Sequence, residues 1–190
     1  MDLSRERPSA LMVAIAFAWG LAEATLFFIV PDVFLTFVAV RNGWRRALVL
    51  APASAIGAVC GGAIMVAWSA QDPAAVLAIL EKIPAISSDM IASVAERMRG
   101  NWVFAVFNGG MNPSPVPYKI FAAMVPQAGV ALAPFLAVSF VTRLTRFVLS
   151  TILAAAVSGA LGFLKKSTRL AILAGFWVVL YTLYWSLAPR

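Results

Sequence analysis

The chain has 190 residues, 62% of them hydrophobic and 12% charged, with a mean hydropathy of +0.90 and a net charge of +7. That is too apolar for a water-soluble domain with a polar skin, and it reads as one integral membrane domain over residues 1–190. The basic residues come in short clusters between apolar stretches, the mark of cytoplasmic loops rather than of a nucleic-acid grip. With no histidine and one cysteine, a Ser-His-Asp triad, a disulfide framework and the usual Cys/His zinc sites are excluded.

The first apolar run, Ser9 to Val40, would be roughly 45 Å long as a straight helix, against a hydrocarbon core of about 30 Å. Its start imitates a cleavable signal peptide, with Arg5 and Arg7 ahead of it and Ala22-Glu23-Ala24 as a small-residue site. Membrane-grade sequence continues past that point as LFFIV and VFLTFVAV, so the run is read as retained. Pro31 removes a backbone donor and breaks the rod. Basic residues flank the run on both sides, Arg41, Arg45 and Arg46 following it, so a re-entrant hairpin over residues 11–40 keeps both clusters in the cytoplasm.

Residues 47–70 carry no charge and are long enough to span. Gly57, Gly61 and Gly62 give this segment a small face for close helix packing, Cys60 among them reads as a packing residue, and Trp44 and Trp68 stand at its ends as interfacial anchors. From residue 71 to 100 the acids Asp72, Glu81, Asp89 and Glu96 outnumber Lys82, Arg97 and Arg99 by one, which fits the outer side. Ile86, Met90, Ile91, Val94 and Met98 follow helical spacing, with Ser88 as a candidate cap and Gly100 as a stop. An interfacial amphipathic helix is therefore expected within 73–99.

Residues 101–129 hold Gly109, Gly110, Pro113, Pro115 and Pro117 between apolar flanks. Interrupted helices at membrane depth need protein or a watery cavity around the exposed backbone, which makes this a second re-entrant hairpin, entering from the outer face. A long helix over 131–164 then returns inwards to Lys165, Lys166 and Arg169, and a last one over 170–188 carries Trp177, Tyr181, Tyr184 and Trp185.

Four charges fall inside these apolar segments: Glu23 and Asp32 in the first, Arg143 and Arg146, three apart on one helical face, in 131–164. Unpaired, they would cost roughly 10–14 kcal/mol, so they do not face lipid. Two readings stay open. The acids neutralise the arginines and pin the hairpin to the long helix, or the four charges line a polar pathway through which a phosphate or a proton passes. Lys119, directly after the proline cluster and beside Tyr118, either snorkels to the interface or meets an anion in that pathway.

Three stretches carry a family resemblance: LAEATLFFIVPDVFL, the glycine-rich GAVCGGAIMVAW, and PSPVPYKIFAAMVPQAGVALAPFLAVSFVTRLTRF. Together they resemble the DedA family, also described as the VTT or SNARE-associated-Golgi-protein superfamily, in its short bacterial branch. The resemblance implies a helical membrane protein with two re-entrant loops facing each other from opposite leaflets. It further implies lipid translocation, including recycling of undecaprenyl phosphate and scrambling of phospholipids, and envelope homeostasis dependent on the proton-motive force. The family's membrane acids correspond to Glu23 and Asp32, its basic residue after the proline to Lys119, and an arginine to Arg143 or Arg146. The chain departs from the family where Pro31-Asp32-Val33 replaces Pro-Gly-Glu, and where Asn108, Gly109 and Gly110 replace a Gly-Arg.

The expected fold is thus an all-α integral membrane protein with about three transmembrane helices, two opposed re-entrant hairpins and one interfacial helix. It lies in a bacterial inner membrane with its N-terminus in the cytoplasm. The expected function is a transporter or scramblase for phosphate-bearing lipid. A proton-coupled antiporter for a small cation or drug and a non-transporting scaffold are the alternatives. An enzyme is not expected, because no nucleophile, base and orienting group cluster together. No cofactor or metal is expected and the proton is the candidate coupling ion. The partners are membrane lipids with anionic phosphate headgroups and no nucleic acid, and a homo-oligomer is left open.

Overall fold

Length divides the helices of this chain into two kinds. The computed structural model describes residues 8–111 and 116–187, and among these there are nine helices and no strand: α1 (Ala10–Thr25), α2 (Asp32–Asn42), α3 (Trp44–Gln71), α4 (Pro73–Leu80), α5 (Ser88–Arg99), α6 (Trp102–Met111), α7 (Tyr118–Met124), α8 (Leu132–Ala160) and α9 (Lys166–Leu187). At 1.5 Å per residue, α3 (28 residues), α8 (29) and α9 (22) reach about 42, 44 and 33 Å, and all three are long and apolar enough to cross a membrane. The apolar helices α1, α2, α6 and α7 have 16, 11, 10 and 7 residues, or about 24, 17, 15 and 10 Å, which is too short to cross.

The short helices come in two broken pairs that use α3 as a common spine. α1 runs parallel to the first part of α3: Gly57 lies against the backbone of Phe17, and Gly61 against Leu21 and Ala24. Glycine is required at these crossings, because a Cβ on Gly57 would lie 2.0 Å from the Phe17 carbonyl oxygen and one on Gly20 2.1 Å from that of Ser54. After the break at residues 26–31, α2 turns back towards the start of α3, which it joins through Gly43 at φ +100°. Leu35, Val38 and Ala39 of α2 share a buried cluster with Ala16, Ala47, Leu50, Ala51, Ala55 and Phe147.

The second pair lies beside the far part of α3. α7 runs parallel to it, with Gly62 against Tyr118 and the Ser69 hydroxyl donating to the Ala123 carbonyl at 2.7 Å. All seven residues of α7 are buried. Gln127 extends this brace by donating to Ser69 Oγ at 2.9 Å. α8 packs on α2, α3 and α6 and returns along the spine, and α9 has α2 as its main neighbour.

Two expectations change here. The single helix within 73–99 is two helices, α4 and α5, separated by a turn that includes Ala85 at φ +68°. Ser87, not Ser88, caps α5 by accepting from Met90 N–H. Its apolar face, Ile91, Val94 and Met98, is buried against protein in the larger core cluster, beside α6 and α7. Gly109 and Gly110, expected to break a helix, lie in the last turn of α6. They permit close approach instead, since a Cβ would meet the Phe121 ring at 2.5 Å and Thr142 Cγ2 at 2.3 Å. Pro117 starts α7 as its N-cap residue, and Pro31 does the same for α2, where a fixed φ near −60° suits a helix start. Pro113 and Pro115, and Arg5 and Arg7, lie outside the described residues.

The α1–α3 crossing is directly testable. Gly57→Ala should cost about 1–3 kcal/mol by overpacking and lower the melting temperature of the detergent-purified protein. Gly159→Ala, whose Cβ meets nothing within 4 Å, should not. Equal melting of both variants would show that α1 and α3 do not cross here.

Candidate functional site

The first break exposes backbone polar groups in apolar surroundings, and three side chains from three helices take them up. Lys119 Nζ, from α7, donates to the Phe27 carbonyl at 2.6 Å. Trp19 Nε1, from α1, donates to the Ile29 carbonyl at 2.9 Å, and the Tyr181 hydroxyl, from α9, accepts from Val30 N–H at 2.8 Å. Such groups would each cost on the order of 1–3 kcal/mol if buried without a partner. Lys119 is only 1% exposed, so it does not snorkel; its ammonium sits at the carboxyl end of α1, where the helix dipole favours a cation. Asp32 occupies the first turn of α2, where the dipole favours an anion.

Both carboxylates pair with α8. Arg143 Nη2 lies 3.3 Å from Glu23 Oε1 and 3.2 Å from Oε2, with both side chains almost fully buried. Its guanidinium also lies over the Tyr118 ring, 4.4 Å from the centroid, a cation–π contact. Arg146 Nη2 lies 3.3 Å from Asp32 Oδ2, but here the arginine side chain is 24% exposed against 3% for the acid. Thr36 is tied to the same region, donating to the Asp32 carbonyl at 2.7 Å and accepting from Trp177 Nε1 at 3.1 Å.

The structure therefore brings Glu23, Asp32, Lys119, Arg143 and Arg146 together between the first break, the start of α7 and the middle of α8. It also separates the two arginines, which the sequence places on one face: Arg143 turns inwards to Glu23, and Arg146 lies at the flank with Asp32. Three cations against two carboxylates leave this seam one formal positive charge in excess. Tyr181 and Trp19 were not singled out as site residues from sequence; their one signal is an apolar ring with a polar tip, which a buried break can use. Cys60 is half-buried on α3, and among the described residues no three His, Cys, Asp or Glu side chains gather as metal ligands.

No protein-family model matches the chain, and no solved structure matches it. A stretch of 56 residues is 46% identical to "Uncharacterized protein HI0703 homolog" of Histophilus somni, covering 30% of this chain. The match takes in 27% of that relative, so the chain spans about a quarter of its length.

The buried pair makes an asymmetric prediction. Arg143→Gln alone strands the Glu23 carboxylate and should destabilise the purified protein by about 3–5 kcal/mol, whereas the double variant Glu23→Gln/Arg143→Gln should recover most of that loss. Unfolding curves in detergent that show the two losses simply adding would mean the side chains do not pair.

Proposed function

We propose that this chain is a membrane transporter or scramblase that moves a phosphate-bearing lipid between leaflets, with the two broken helix pairs acting as opposed re-entrant hairpins. The observation that carries the reading is the largely buried, net-positive seam between the first break, the start of α7 and α8. Apolar packing would stabilise such a junction better than five charges, so the charges favour a passage for an anion.

The geometry fits this frame. α3, α8 and α9 cross, while α1–α2 enters and leaves by the end carrying Arg41, Arg45 and Arg46, and α6–α7 enters from the end carrying α4 and α5. The positive-inside tendency puts the basic end in the cytoplasm, with the N-terminus, and the DedA resemblance adds a bacterial inner membrane and a role in envelope homeostasis. Arg143, Arg146 and Lys119 then hold the phosphate by charge-assisted contacts, Glu23 and Asp32 balance them when the site is empty, and a proton taken up by an acid releases an arginine to the headgroup. The acyl or isoprenyl chain stays in the bilayer. The excess positive charge favours an anion over the small cation of a proton-coupled antiporter. The direct pairing of both acids favours a second reading, a scaffold in which the charges only pin the hairpins.

Vesicles containing fluorescent phospholipid in both leaflets, and parallel vesicles containing a polyprenyl phosphate, test the proposal. The protein should move at least one of these lipids, and Glu23→Gln and Asp32→Asn, separately or together, should slow that movement by an order of magnitude or more at constant fold. Vesicles in which neither lipid moves faster than in protein-free controls would remove the transport reading.

A further inference from the structure

Arg146 differs from the other four charges of the seam in being reachable from the side. Glu23, Asp32, Lys119 and Arg143 are each 1–4% exposed, while the Arg146 side chain is 24% exposed. Its ion pair with Asp32 uses one nitrogen at 3.3 Å, and a guanidinium has five N–H donors in a fixed fork, so the remaining donors point elsewhere. Tyr181 lies on the same flank. Its hydroxyl accepts from Val30 N–H and still has its own proton to donate.

The flank opens between α8 and α9. The two helices are held together beside their shared turn, where Arg169 Nη1 donates to the Ser158 carbonyl at 3.0 Å and to its hydroxyl at 3.1 Å. Further along, α2 packs against both and separates them, with Trp177 and Tyr181 of α9 bonded to Thr36 and Val30. On α8 the positions one, two and three turns after Arg146 are Leu149, Leu153 and Val157, which are 51%, 66% and 51% exposed. They continue the Arg146 face at helical spacing for about 16 Å towards the basic end. An exposed apolar stripe leading to one partly exposed cation matches a lipid: a chain for the stripe and a phosphate for the cation.

We infer that Arg146 and the α8 stripe beyond it form the lateral entry site for one anionic, phosphate-headed lipid, with Arg143 and Lys119 as the sealed inner station. This rests on the lipid-transport reading and adds the place of entry. Charge and apolar length are complementary to such a lipid, whereas a zwitterionic headgroup gains less from a lone guanidinium.

A photoreactive benzophenone side chain at position 153 tests the site in the full-length protein, in vesicles of phosphatidylcholine and phosphatidylglycerol. Adducts should favour phosphatidylglycerol, and Arg146→Gln, made together with Asp32→Asn so that no carboxylate is stranded, should lower that preference about ten-fold, the loss of one charge-assisted contact. Arg146→Lys should retain part of the preference, and the same probe at Ile152, on another face of α8, should show none. Equal labelling of the two lipids at position 153, or a preference unchanged without Arg146, overturns the site. Selective labelling without lipid movement would keep the site and remove the transport reading, while lipid movement with unselective labelling would remove the site alone.

Discussion

An interrupted helix has carbonyl and amide groups without partners along the helix, and the arrangement of this site follows from how those groups are paired. At the first break the partners come from three directions: Trp19 from the helix that ends there, Tyr181 from the last helix, and Lys119 from the second broken pair. Lys119 is the decisive one, because it ties the first break to the start of α7. The two cannot separate without leaving both a carbonyl and an ammonium without their partner.

That link sets the electrostatics. A buried ammonium at the end of α1 draws Glu23 into the junction, Glu23 in turn holds Arg143, and the guanidinium lies over the Tyr118 ring. Asp32 and Arg146 form a second, looser pair on the flank. The gradient from sealed to accessible charge runs outwards along one face of α8, so the same helix that braces the fold also grades access to it.

Segment-level properties were readable in the sequence and partner-level ones were not. The three long apolar helices emerge from hydropathy because length and apolarity belong to each segment alone. Pro31 marks a break, but it does not reveal that α1 already stops at Thr25, since the Leu26–Val30 connection is held by side chains 92 and 151 residues away as well as by Trp19. Gly109 and Gly110 read as breakers because glycine lowers helix propensity, yet close contact with Phe121 and Thr142 overrides propensity and keeps them helical. The acids and arginines could be matched by cost, but a spacing of three residues on α8 places both arginines on one side, and only the packing of α2 and α7 decides that one is sealed and the other is not.

The central claim is that the paired charges conduct a phosphate as well as hold the hairpins together, and exchanging the partners of the sealed pair separates the two roles. Arg143→Glu alone should lower both stability and lipid movement in reconstituted vesicles. Adding Glu23→Arg restores an ion pair, and the account predicts that melting in detergent recovers while lipid movement does not, because the field along the passage is inverted. Recovery of both together would contradict it and leave the charges as fasteners.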